Sequence, residues 1–303
     1  MSMMTRERFM ISMVRAGVRY APHQAIRSSL WHRWVEAEIA WRDHAFVSNT
    51  AAGRLAGNTR DILQQYLYYF GIWEPEVTAF LQRRLKPGDN FIDVGANIGY
   101  FSLLAAKCVG PTGHVIAIEA SPSVFELLVG NVQRNSAHQI KTLNVAAASE
   151  VGRVQLYCGQ DCNCGATSIV PEGNETVIAE VEAAPLAKLI DIDIWNNARL
   201  VKIDVEGAEA GVVRGLGSLI GNGRADREFL IELHPQQLLQ LGNSVEEVLA
   251  PFQKCGYHAY TIGNDYDPSS YLRRSQPVRP QRMNDPIEGD TNLILSREDR
   301  TEL

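Results

Sequence analysis

The stretch Asn90–Ala106, NFIDVGANIGYFSLLAA, decides the fold of this chain. Phe91, Ile92 and Val94 read as a buried strand, and a turn carrying Gly95 and Gly99 follows. Tyr100, Phe101, Leu103 and Leu104 then open a helical stripe. A strand that runs through glycines into a helix N-terminus lets backbone N–H groups approach a ligand without interference from Cβ atoms. Asp93, two residues before the first glycine, is the discriminating detail. A carboxylate there can face a cationic group, such as the ammonium of an amino-acid-like cofactor, and would repel a pyrophosphate.

Two phosphate-binding readings fail on the same residues. A P-loop ends in Lys-Ser/Thr, which Ile98–Phe101 lacks, and the dinucleotide fingerprint wants a middle glycine where Asn97 stands. The run from Asp93 to Gly99 fits the D-x-G-x-x-x-G turn that holds S-adenosylmethionine, with a plain strand–turn–helix as the alternative. His114–Ala120, HVIAIEA, is a second buried-looking strand ending in Glu119. An acid at the tip of the second strand of a βαβ site accepts hydrogen bonds from ribose hydroxyls. Ser121-Pro122 then supplies an N-cap and a first helical residue, and Val124, Leu127, Leu128 and Val132 follow at helical spacing.

The order FIDVGANIGYFSLLAA, VIAIEASP, LVKIDVEGAE, FLIELHP resembles the FkbM family of S-adenosylmethionine-dependent methyltransferases. Phe70–Pro75, FGIWEP, resembles that family's lead-in, and the phrase Lys202–Glu209, KIDVEGAE, is the most restrictive piece. The resemblance covers about Asp61 to Leu295. It implies an α/β class I methyltransferase (Rossmann-like) fold: a seven-stranded, mostly parallel sheet with helices on both faces. It also implies O-methylation of a sugar, glycolipid or polyketide-like hydroxyl; the alternative is a non-catalytic binding or assembly protein on the same fold. By resemblance, Asp93 contacts the methionine part of S-adenosylmethionine, Gly95 and Gly99 allow close approach, and Asn97 adds a polar contact. Glu119, with Ala120 beside it, holds the ribose; Asn144 and Ala146 border the adenine; Glu74 folds back over the cofactor or is a surface acid before Pro75.

In a parallel sheet ligands bind beyond the carboxyl ends of the strands. That rule gathers Asp93–Gly99, Glu119, Asn144–Ala146, Asp204–Glu206 and Glu232–His234 on one rim. A hydroxyl nucleophile needs a base, and His234 is the candidate because imidazole titrates near neutrality. Asp204 and Glu206 are the competitors, as base or as groups orienting His234 or the acceptor. Asp204 with Glu232 holding Mg²⁺ is a minority reading, and no metal is expected.

Composition bounds the rest. The 303 residues are 45% hydrophobic and 21% charged, enough to bury a core, and the net charge of −6 argues against nucleic acid as the main partner. No apolar run approaches the ~18 residues of a membrane span, and Arg6, Glu7 and Arg8 precede no clean signal-peptide pattern, so a cytoplasmic protein is expected. Cys158, Cys162 and Cys164 lack a fourth zinc ligand nearby and read as reduced thiols.

Residues 1–60 read as an N-terminal helical extension and 61–303 as the methyltransferase domain. In the extension nine arginines face four acids, and two apolar sets lie within Met3–Val18 and Trp31–Trp41. Packing on the core or on a second subunit of a homo-oligomer is expected, with peripheral contact to anionic lipid or a lipid-linked acceptor as the other reading. Arg153–Cys158 and Thr176–Glu182 read as a hairpin or excursion, and Gly263–Asp290 as a long loop, of the kind that serves as a functional lid or a mobile segment.

Overall fold

The computed structural model describes residues 3–39, 43–158, 169, 176–263, 265–273 and 275–303. In chain order its strands are β1 (Ala45–Asn49), β2 (Arg54–Asn58), β3 (Asn90–Val94), β4 (His114–Ile118), β5 (Ile140–Leu143) and β6 (Ala146–Ala147). They continue as β7 (Gly152–Cys158), β8 (Thr176–Ala184), β9 (Ala198–Ile203), β10 (Glu228–Leu233), β11 (His258–Ile262), β12 (Gln281–Arg282) and β13 (Thr291–Ser296).

The main sheet runs β12-β11-β13-β10-β9-β3-β4-β5. Its centre, from β10 to β5, is parallel, and the β13, β11 and β12 side is antiparallel. Every residue of β3 and of β9 is buried, as strands covered by helices on both faces must be. One face packs Phe80, Leu81, Leu103 and Leu104 against Phe91; the other packs Val212, Val213 and Phe252 around Val201 and Phe229. Eight strands stand where seven were expected. The extra one, β12, pairs Arg282 with Tyr260 and Gln281 with Thr261 on β11, and two residues are too few to show a strand period.

β4 and β5 lie on one side of β3 and β9 and β10 on the other, so strand order reverses between β3 and β9. The turns after these two strands therefore open a crevice at the carboxyl rim of the sheet.

The extension is not helical to residue 60. After helices Met3–Tyr20 and Gln24–Leu30, β1 and β2 form an antiparallel hairpin from Ala45↔Asn58 to Asn49↔Arg54. Phe46 and Ser48 alternate inward over so short a span that arginine and tryptophan counts hide the period. Asn131 ties this hairpin to the glycine turn, accepting from Ala56 N–H at 2.8 Å and donating to the Ile98 carbonyl at 2.9 Å.

β7 and β8 pair antiparallel from Gly152↔Ala183 to Cys158↔Thr176, the expected hairpin. Cys162, Cys164 and the Cys158 side chain lie outside the described residues. The 263–290 stretch is less bare than its composition suggests. It holds helix Pro268–Arg273 and β12, with Tyr271 and Leu272 buried and Arg27 donating to the Leu272 carbonyl. No helix among the described residues is long and apolar enough to cross a membrane.

Candidate active site

The turn after β3 is shaped by steric necessity. Gly95 sits at φ +82°, and a Cβ there would lie 1.7 Å from the Asp204 carbonyl oxygen, so only glycine lets this turn and the one after β9 meet. Gly95 and Ala96 N–H donate to the Ile118 carbonyl, tying the turn to β4. Asn97, at φ +51°, accepts from Ile98 N–H through its side chain and donates its own N–H to Glu119 Oε2 at 2.9 Å. Ser121 N–H donates to Glu119 Oε1 at 2.8 Å. Burial pushes the Glu119 carboxyl up to about 7 against these two donors. Asn144 braces the same corner, donating to the carbonyls of Glu119 and Ala120.

The register of β3 on β9 sets Asp93 beside Lys202. Asp93 is 1% exposed and accepts from Ser102 Oγ at 2.5 Å. Burial raises its pKa and Lys202 opposes that rise. The Lys202 ammonium lies 2.6 Å from Asp204 Oδ2 and 5.0 Å from the Phe101 ring centroid. Burial alone would lower the lysine; Asp204, Asp93 and Glu74 outweigh it and hold the ammonium above its ordinary range.

One strand over, His234 is 5% exposed, with Nδ1 3.1 Å from Glu209 Oε1 and Nε2 3.4 Å from Glu206 Oε2. Burial works against the charged ring, yet the Glu209 hydrogen bond and the charges of Glu206 and Glu232 push it up to about 10. These carboxylates favour the protonated ring, the form with no lone pair to take a proton. Glu206 adopts φ +49°, and burial together with Asp204 pushes its carboxyl up to about 7. Glu232 is raised well above the usual carboxylate range by burial, Asp204 and Glu74.

These groups surround a cavity of about 430 Å³, within the range of small-molecule sites. One end is apolar, with Ile118, Val124, Val145, Ala146, Ala147 and Leu156. The other carries Glu74, Asp204, Glu206, Glu232 and Tyr266. No lysine, arginine or histidine lines it among the described residues.

Of the residues expected at the site, Glu74, Gly95, Asn97, Glu119, Ala120, Ala146, Asp204 and Glu206 line this cavity. Asp93, Gly99, Asn144 and His234 do not; Asn144 bonds the Glu119 and Ala120 carbonyls and His234 meets Glu206 from behind the wall, while Asp93 accepts from Ser102 beside Lys202. Gly99, at φ +91°, instead packs the start of helix Tyr100–Val109, where a Cβ would lie 2.6 Å from a Leu128 methyl. Asp61, Trp73 and Tyr266 are wall residues that the sequence reading did not assign. Asp61 is legible in retrospect as the N-cap of helix Ile62–Tyr69, accepting from Gln64 N–H. Tyr266 carries no local signal.

The profile of the methyltransferase FkbM domain matches residues 93–259, more than half of the chain. The chain is 25% identical over 149 residues to Methyltransferase 1 of Beauveria bassiana, covering 43% of this chain and 59% of that protein. It is 34% identical over 74 residues to the protein-L-isoaspartate O-methyltransferase of Caenorhabditis elegans, covering 24% and 33%. The chain thus spans less than two thirds of the length of these relatives. A solved FkbM methyltransferase from Methylobacillus flagellatus KT is 17% identical at a TM-score of 0.43, covering 81% of this chain and 56% of that one, a loose likeness.

Proposed function

The chain belongs to the methyltransferase FkbM family, a family of S-adenosylmethionine-dependent methyltransferases, and from that premise we propose O-methylation of a sugar, glycolipid or polyketide-like hydroxyl. The observation that carries the reading is the division of one cavity into an apolar end and an end of carboxylates. When bound, S-adenosylmethionine supplies a methyl group on a positively charged sulfur.

The residues present fit that molecule. Ile118, Val145 and Leu156 offer an apolar slot for a purine. A carboxylate has about four lone-pair sites, so Glu119, with two of them taken by Asn97 and Ser121, keeps two for ribose hydroxyls. The glycine turn admits the methionine part, and the carboxylates beyond it suit a sulfonium.

Catalysis then rests on this chain's alignment of the acceptor, which can supply ~7–11 kcal/mol of a barrier. Glu206 takes the proton from the acceptor hydroxyl, since a carboxyl at about 7 on the cavity wall is matched to neutral pH. His234 is the positioning residue, holding Glu206 from behind while Glu209 fixes the ring. Asp204, anchored by Lys202, orients the acceptor. The left-handed backbone of Glu206 is the kind of strain kept where a side chain must be aimed.

Transfer of a labelled methyl group to a panel of hydroxylated sugars, glycolipids and macrolide-like compounds tests the reading. Turnover should rise with pH through about 7 as Glu206 loses its proton. Glu206→Gln should reduce turnover by roughly 10²-fold, the low end for a general base, and remove that rise, while cofactor affinity holds. Full turnover in Glu206→Gln would remove it from the chemistry, and methylation of amines alone would overturn the hydroxyl acceptor.

A further inference from the structure

Glu74, Trp73 and Tyr266 lie outside residues 93–259, which match the family profile, yet they line the cavity from both flanks of that stretch, and Tyr271, also outside it, bonds Glu74. Glu74 is 3% exposed and adopts φ +41°, a conformation an L-residue keeps only where its surroundings impose it. Its carboxylate lines the cavity. Two hydroxyls from one segment hold it. Tyr266 donates to Glu74 Oε1 at 2.6 Å, and Glu74 N–H donates to the Tyr271 hydroxyl at 3.1 Å.

The clamp is itself well seated. The Tyr266 ring stacks on Trp73 at 5.3 Å and 29°, its hydroxyl lies 3.4 Å from Glu232 Oε1, and its carbonyl accepts from Tyr66. Tyr271 stacks on Phe70 at 5.0 Å and meets Tyr66 edge-on at 4.8 Å. Tyr266 remains 41% exposed, which sets this contact at the mouth of the cavity rather than its floor.

We propose that Tyr266 and Tyr271 are positioning residues that fix Glu74 as the counter-charge to the cationic sulfur of the methyl donor. The inference rests on the cofactor reading above and adds to it a wall brought in from segments on either side of residues 93–259. A carboxylate held by a phenol donor and pinned at its own N–H cannot swing away to water. It presents a fixed negative charge, which favours a sulfonium over a neutral thioether at the same place.

S-adenosylmethionine and S-adenosylhomocysteine differ by the methyl group and the positive charge on sulfur, so the ratio of their affinities reads that charge. Calorimetric titration of the full chain with both ligands is the test. Glu74→Gln should weaken S-adenosylmethionine by about ten-fold, a modest share of a close charge–charge interaction, and S-adenosylhomocysteine by less than about two-fold. Tyr266→Phe and Tyr271→Phe, which keep the rings and remove one hydroxyl each, should shift the ratio the same way by about three-fold. A merely structural role would weaken both ligands together. Variants that bind both ligands with the wild-type ratio would overturn the clamp and leave the methyl-donor reading standing.

Discussion

The two halves of the rim hold their carboxylates by different means. On the β3–β4 side, Glu119 accepts from the backbone N–H groups of Asn97 and Ser121. On the β9–β10 side, Asp204 rests on the Lys202 ammonium, and Glu206 and Glu209 share the His234 ring. Backbone donors are fixed by the path of the chain and carry no charge that titration can remove. Ion pairs bring full charges, from the end of β9 itself for Asp204 and from the end of β10 for Glu206 and Glu209, and each buried one fails badly when its partner goes. One half is therefore built for shape, and the other for tuned electrostatics.

That contrast can be broken. Lys202→Met strips the counter-charge from buried Asp93 and from Asp204, and should cost roughly 3–5 kcal/mol in urea unfolding. Glu119→Gln removes one charged acceptor and should cost only about 1–3 kcal/mol; equal costs would erase the distinction. Gly95→Ala comes next. A left-handed alanine with its Cβ against the Asp204 carbonyl combines strain and overpacking, at roughly 2–4 kcal/mol.

His234 sharpens the comparison through pH. Its pKa rises from 6.5 to about 10 on folding, so the folded chain binds the proton more tightly than the unfolded one. The stability it contributes is complete below pH 6.5 and drains away as pH climbs through about 10. His234→Gln should lose about 2 kcal/mol at pH 6.5 and flatten the decline above it; unfolding curves at a series of pH values read both. An equally steep decline in the variant would contradict the assignment. The smallest effect belongs to the backbone-held half: Asn97→Ala, at φ +51°, should cost about 1–2 kcal/mol, and Asn97→Gly less.

The same contrast explains what the sequence made legible. The β3 turn could be read because its chemistry is local: glycines, an asparagine and a following helix stripe lie within ten residues. Glu119 followed from its place at the next strand tip. The electrostatic half depends on strand register. Asp93 and Lys202 are neighbours only because β3 and β9 pair with those residues side by side, so Asp93 reads from the sequence as facing a ligand while the structure turns it to Lys202 and Ser102. His234 likewise reads as a neutral base at a strand end. Glu209, 25 positions earlier in the chain, changes its charge state, and no periodicity reports that contact. Tyr266 was hidden most completely, since its place comes from aromatic packing against Trp73 and not from any pattern around it.

We propose that the cavity between the β3 and β9 turns takes S-adenosylmethionine through Glu119. Calorimetric titration of the wild-type chain and of Glu119→Gln with S-adenosylmethionine and with NAD tests it most directly. One molecule of S-adenosylmethionine should bind per chain, at least ten-fold more weakly in the variant for the loss of a charged ribose acceptor, with no uptake of NAD. Preference for NAD, or unchanged S-adenosylmethionine affinity in Glu119→Gln, would contradict it.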